Sequence, residues 1–250
     1  MAEQNVTLQP GESKVVAFEA IPQEARTYLV TVDGLSGSFV AIAGEIIFRS
    51  NHDPEITCCD GGVEASRGYY GVSWADLWSG PALNASAAGA HLSAGFGSGN
   101  NKDKWRYMWR SFLLFDTSSI APDADIEAAL EVYCDYKRNS FNLNPGWCIV
   151  RSNPLSNTDI VLADYNNLYT FPLSNILRYS DVACPGWNTF TLSAEAINKG
   201  GITKLGLREY DHDALNHPPV WEQSKATFIR CYSADQHKND FSPRLIVWRR

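Results

Sequence analysis

Apolar and polar positions alternate through most of the chain, and runs at helical spacing are scarce. The pattern is clearest in RSFLLFDTSSIAPDADIEAALEVYCDY, residues 110–136. Residues 111–115 form an apolar run too short for a helix and rich in Phe and Leu, which predicts a strand covered on both faces. Asp116, Thr117, Ser118 and Ser119 then turn the chain with short polar side chains, and Pro122 and Asp123 continue the corner. Beyond it, Ile126, Ala128, Leu130, Val132 and Cys134 share one face, with Glu127, Glu131 and Asp135 on the other, the period of two of a strand lying over a core. Two strands joined by such a corner predict an all-β protein built as a sandwich. Further strands are expected at 147–151, 159–165, 169–173, 188–192, 203–210, 226–233 and 244–248, while residues 52–104 read either as a long excursion or as early strands at 62–67 and 70–74 followed by a loop; this is enough to close an eight-stranded jelly roll. The one short helix expected is 194–199, led by Ser193 and closed by Gly200 and Gly201.

RSFLLFDTSSI, then Pro122, then IEAALEVY resembles the opening of the DNRLRE family of β jelly-roll modules. WNTFTL at 187–192, LGLR at 205–208 and PRLIV at 243–247 stand where later strands of that family would be. The resemblance covers about residues 50–250. It implies a jelly-roll fold and, in some members, carbohydrate binding; it supplies no catalytic set.

Ahead of this lies a second organised unit. Strands are expected at 5–8, 14–20, 28–32 and 38–42, separated by turns at Pro10-Gly11, Pro22 and Asp33-Gly34. LQPGESKVVAFEAIPQEARTYLVTVDGLSGSFVAI, residues 8–42, resembles the closing half of CARDB-type immunoglobulin-like modules. A complete sandwich of that kind has about seven strands in roughly 100 residues. The division expected is therefore residues 1–45, a partial immunoglobulin-like β unit, and residues 46–250, the jelly-roll domain. Half a sandwich leaves an apolar face and unpaired edges, so residues 1–43 are expected to dock on another copy of the chain, on a neighbouring structural protein or on the main domain.

Composition narrows the partners. A net charge of −7 without a basic stripe opposes nucleic-acid binding. Nothing in the sequence predicts membrane insertion, and the first 25 residues carry neither the basic nor the apolar region of an export signal. If Met1 is native, a virion component assembled inside a host is expected; if it was added, an extracellular or cell-surface location follows as readily. Six cysteines allow fifteen pairings. Cys134 and Cys148 are the candidate disulfide, being placed on what read as adjacent strands around a polar turn.

Candidate chemistry is confined to two regions. Tyr70, Trp74, Trp78, Trp105 and Trp109 crowd a Gly- and Ser-rich stretch, and exposed rings there would stack on sugars, whereas buried ones would be core. Asp211, Asp213 and Asn216 offer oxygen ligands for a structural calcium, against the plainer reading of a solvated turn; no other cofactor is expected. No GxSxG, HExxH or phosphate-loop motif occurs, so an enzyme is not expected. The function expected is a non-catalytic structural β protein of an exposed assembly, a capsid decoration or tail appendage docking through its N-terminal segment. The alternative is a cell-surface filament subunit or carbohydrate-binding adhesin.

Overall fold

The structure is a computed structural model that describes residues 9–12, 27–32, 35–40, 44–89, 91–237 and 240–250. It divides into two compact units, residues 1–44 and residues 45–249.

In the first unit, β1 (Thr27–Val32) and β2 (Leu35–Val40) pair antiparallel, with Tyr28 opposite Phe39 and Val32 opposite Leu35. The turn expected at Pro10-Gly11 is present: the Glu12 amide donates to the Gln9 carbonyl, and Gly11 takes the positive φ that a side chain would resist. The strands expected at 5–8 and 14–20 lie outside the described residues.

The second unit contains β3 (Glu45–Arg49), β4 (Asp60–Ser66), α1 (Trp74–Ser79), β5 (Asn84–Ser86), β6 (His91–Ser98), β7 (Trp105–Asp116), β8 (Ile126–Asn139), β9 (Gly146–Ser152), β10 (Leu168–Pro172), β11 (Leu177–Arg178), β12 (Gly186–Leu192), β13 (Ile202–Glu209), β14 (Ala226–Tyr232), α2 (Ala234–His237) and β15 (Arg244–Arg249). With 46% strand against 10% helix, the all-β, sandwich-like class read from alternation holds. The strands run in the order β10-β9-β13-β7-β6-β14-β8-β15-β3, with β4 on β7, β5 on β4, β11 on β9 and β12 on β8.

Two long strands organise this network. β7 pairs with β6 along its first half and with β13 along its second, while β4 runs along it from Asp60 to Ser66. β8 pairs with β12 and β15 along its first half and with β14 along its second. Alternation along β7 feeds two cores, as expected for 111–115. Leu113 and Phe115 enter the first, with Leu130, Val132, Phe190 and Leu207; Phe112 and Leu114 enter the second, with Phe96, Met108, Val150 and Tyr165. β9 is divided the same way, Trp147 and Ile149 to the first core and Cys148 and Val150 to the second. Ile126, Ala128, Leu130, Val132 and Cys134 all enter the first core, the face expected of β8.

Three expected elements differ. Residues 70–74 end in a helix instead of forming a strand: Ser73 accepts from the Asp76 amide as N-cap, and Trp74 and Leu77 bury one helical face. Residues 159–165 lead into a 3-10 turn, Leu162–Asn166, and the helix expected at 194–199 shortens to a 3-10 turn, Ala194–Ala196.

A buried ion cluster fixes the second core. After β13 the chain makes a π turn, Tyr210–Ala214, capped by Glu209, whose carboxylate accepts from the amides of Asp211, His212 and Asp213. This sets the Asp213 carboxylate between two guanidiniums, 2.7 Å from Arg110 and 2.6 Å from Arg208, with all three side chains buried. Arg110 also donates to the carbonyls of Trp78 and Tyr165, and Arg208 to those of Leu168 and Tyr169. Burial by itself would raise the Asp213 carboxyl, but the two guanidiniums reverse that and hold it at about 2. Its contribution to stability is therefore present above the unfolded aspartate value of roughly 3.9 and is lost as pH falls through about 2.

Removing that carboxylate strands two buried cations. Asp213→Ala is expected to cost about 3–5 kcal/mol of unfolding free energy in urea titrations. Asp211→Ala, which breaks the half-exposed pair with Arg178 and one bond from the Gly146 amide, should cost less, about 1–2 kcal/mol.

Candidate functional site

The outward phase of β7, β14 and β8 carries a continuous band of rings. Opposite the core residues Ile229 and Cys231, β14 turns Phe228, Arg230 and Tyr232 outward. On β8 a register shift falls between the pairs Tyr136↔Arg230 and Cys134↔Cys231, so Asp135 is the extra residue of a bulge. Both Asp135 and Tyr136 thereby reach Arg230: the carboxylate takes its guanidinium at 2.5 Å, and the ring lies beneath it. Tyr107 stacks on Trp109 at 5.1 Å between centroids, Trp109 meets Phe228 at 5.0 Å, and Phe228 meets Tyr136 at 5.8 Å. Arg106 lies 4.5 Å over the Tyr107 ring and reaches Tyr69 as well. Past Asp135 the band continues through His91, Tyr232, Tyr133, Phe241 and Trp187, ending under Arg244.

Most of these rings pack against one another, but Trp109 also walls a cleft. Trp109 lies opposite Glu64 on β4 and opposite Gly95 on β6. Gly95 has φ +148, and a Cβ there would come within 2.2 Å of the Thr227 carbonyl, so only glycine lets β6 lie this close to β14. The cleft, of about 230 Å³, opens between β4–β5 and β6 and is lined by Glu64, Asn84, Ser86, His91, Ser93 and Trp109 among others. Glu64 accepts from the Asn84 amide at 3.4 Å. Burial and the nearby Arg230 push His91 below its ordinary value, against the pull of Asp135, which leaves its imidazole neutral near pH 7. One aromatic wall faced by a carboxylate, an amide, hydroxyls and an imidazole is a mixed apolar and polar surface suited to a small polyhydroxylated group.

Of the aromatic residues singled out from sequence, Trp109 alone lines this cleft. Trp74 and Trp105, 8% and 3% exposed, belong to the second core and stack edge to face, which corrects their assignment as ligand-stacking rings. Trp78 is half-buried, its indole N–H given to the Asp213 carbonyl. Tyr70 is 65% exposed, set edge-on to Tyr69 beyond the end of the band. Phe228, Tyr136, Tyr133, Tyr232, Trp187 and His91 were missed, although the outward phase of β8 and β14 put aromatics at alternate positions in plain view.

The disulfide assignment is corrected, and the oxygens named for calcium already have partners within the chain. Both Asp213 oxygens accept from arginines, Asp211 is held by Arg178 and the Gly146 amide, and the Asn216 carbonyl oxygen accepts from the Trp74 indole. Protein donors therefore engage both Asp213 oxygens, one Asp211 oxygen and the Asn216 oxygen. Among the described residues no three His, Cys, Asp or Glu side chains are placed to share a metal ion. Cys134 and Cys148 are free thiols facing different cores, and β8 does not pair with β9. The polar turn between them carries the chain from one set of partners to another, so closeness in sequence did not become closeness in space.

Two other carboxyls are perturbed but sealed away. Burial raises Asp60 and Glu209 to about 8 each, backbone amides pulling the other way. Both are fully buried and neither lines the cleft. No family model matches the chain, and no curated protein matches it. No helix among the described residues is long and apolar enough to cross a membrane.

Asp60 sets a pH dependence. A carboxyl held at about 8 when folded stabilises fully below its unfolded value, roughly 3.9, and that contribution is lost as pH rises through about 8. Urea midpoints should therefore fall between pH 5 and 8, Glu209 contributing to the same slope, and Asp60→Asn should reduce it by roughly half.

Proposed function

We propose that the chain is a non-catalytic β module of an exposed assembly, a virion or cell surface, and that its larger unit binds carbohydrate in the Trp109 cleft. The observation that carries this reading is the clamped indole: Trp109 is held between Tyr107 and Phe228 and faces Glu64, Asn84, Ser93 and His91 across a small open cleft. Sugar rings offer C–H faces to such a wall and hydroxyls to such a polar rim. The cleft is smaller than the roughly 300–1,000 Å³ of drug-sized pockets, so it admits about one ring. Glycan-array screening of the purified chain, followed by titration of the best binder, tests the reading. Trp109→Ala should weaken binding roughly two- to tenfold, the worth of one aromatic contact, while Phe171→Ala on exposed β10 should change nothing. An array blank at millimolar glycan would remove the proposal.

The assembly part rests on the first unit. Its described strands form a two-stranded sheet with Leu29 78% exposed, and isolated hairpins are at best marginally stable in water. Residues 1–43 are therefore read as the docking segment, pairing with another copy or a neighbouring structural protein. Native mass spectrometry should find oligomers that dissociate on Leu29→Asp; a monomer at all concentrations would count against self-docking.

A further inference from the structure

The strand order of the second unit has two ends, and they are built differently. At one end β10 pairs with β9 through Leu168 and Pro172, across a register shift, and Pro172 has no N–H to offer a further strand. That edge is blunted. At the other end β3 pairs with β15 residue for residue from Glu45 to Arg49 without a shift. Its other side has no strand beside it among the described residues, and an open, regular edge is a template for another strand.

The side chains of β3 select which strand fits there. Its sequence is Glu-Ile-Ile-Phe-Arg. Phe48 packs against the first core, so Ile46 shares that side and Glu45, Ile47 and Arg49 take the outward phase. On the outward face Arg49 stands opposite Arg244, Ile47 opposite Ile246 and Glu45 opposite Trp248. Glu131 neutralises Arg244 at 2.6 Å. Arg49 and Glu45 form no ion pair among the described residues, and one guanidinium nitrogen of Arg49 is buried without a hydrogen-bond partner. Ile47, between them, is 42% exposed. Opposite charges placed evenly about a central apolar residue are self-complementary in an antiparallel pair, which sets Glu45 of each copy against Arg49 of the other. A parallel pair in register would set like charges side by side.

We propose that β3 pairs antiparallel with β3 of a second copy about a two-fold axis at Ile47, so that the two sheets continue as one. Across the junction Ile47 meets its own counterpart, and Ile46 meets Phe48 of the second copy. The apolar side of the strand then runs on from the first core, with two ion pairs on the outward face. A two-fold contact of this kind uses the same surface on both chains and closes as a dimer. Five residues a side are far fewer than the roughly 20–30 of a stable interface, so the dimer is weak and reversible. It is separate from any docking by residues 1–43.

The test is sedimentation equilibrium of the full-length chain from roughly 10 μM to 1 mM, with charge reversals at both ends of the strand. The unaltered chain should dimerise, and Glu45→Arg or Arg49→Glu should each weaken the dimer about tenfold or more while the melting temperature is kept. Mixing the two variants should restore a one-to-one heterodimer, because one then carries two cations at the strand and the other two anions; misfolding does not produce that result. Ile47→Cys should link two chains through residue 47 under mild oxidation, whereas Glu45→Cys, whose counterpart is Arg49 of the second copy, should not link to itself. The dimer should persist in Leu29→Asp, which reads it apart from first-unit docking. A monomer throughout that range, association unchanged by both reversals or abolished by Leu29→Asp, a mixture no more dimeric than its components, or linkage at 45 instead of 47 would each overturn the proposal.

Discussion

The second core depends on one carboxylate held by two guanidiniums. Asp213 lets Arg110 sit inside β7 and Arg208 inside β13, side by side at the middle of an otherwise apolar layer. Neither cation could be buried there alone, since an uncompensated charge in such a place costs several kcal/mol. Once paired, their remaining N–H groups are free to collect carbonyls from α1 and from the segment around Tyr165 and Leu168. The loops that cover the sheet are thus fastened to it by hydrogen bonds as well as by packing. Tyr165 adds to this, its ring 4.2 Å from the Arg110 guanidinium and its hydroxyl donating to the Leu77 carbonyl.

The alternation of apolar residues was enough to place most strands and to state which phase is buried. It identified β7 as covered on both faces and β8 as covered on one, and both features follow from side-chain period alone. What it could not supply was partner choice. A strand's neighbours are set by tertiary pairing, so Cys134 and Cys148, close in sequence, face different cores, while Cys231 lies almost 100 residues further on and directly across from Cys134. The bulge at Asp135 was equally invisible, because an inserted residue changes the phase locally and leaves composition untouched.

The helix was more legible than the strand reading allowed. Trp74, Leu77 and Trp78 recur at helical spacing behind Ser73 and Asp76, a capping pattern that competes with the alternation of the neighbouring residues. Reading it would have moved Trp74 into the core at once. The Asp211–Asp213 turn misled for a related reason: acidic residues in a loop suggest a cation, and here the cations are the chain's own arginines, contributed by strands roughly 100 and five residues away.

The size of the Trp109 cleft has a further consequence. Were a cleft of about 230 Å³ to take one sugar ring, as proposed, it would form few contacts, and after the entropy of association is subtracted a single such contact would rest near the millimolar range, about −4 kcal/mol. Useful attachment on those terms comes from avidity: many copies, held at fixed spacing, convert each later encounter into an intramolecular one and multiply the effective affinity by roughly 10² or more. On the reading proposed above, a small cleft and a display of many copies would complement one another, the first keeping every contact reversible and the second making the sum of them durable.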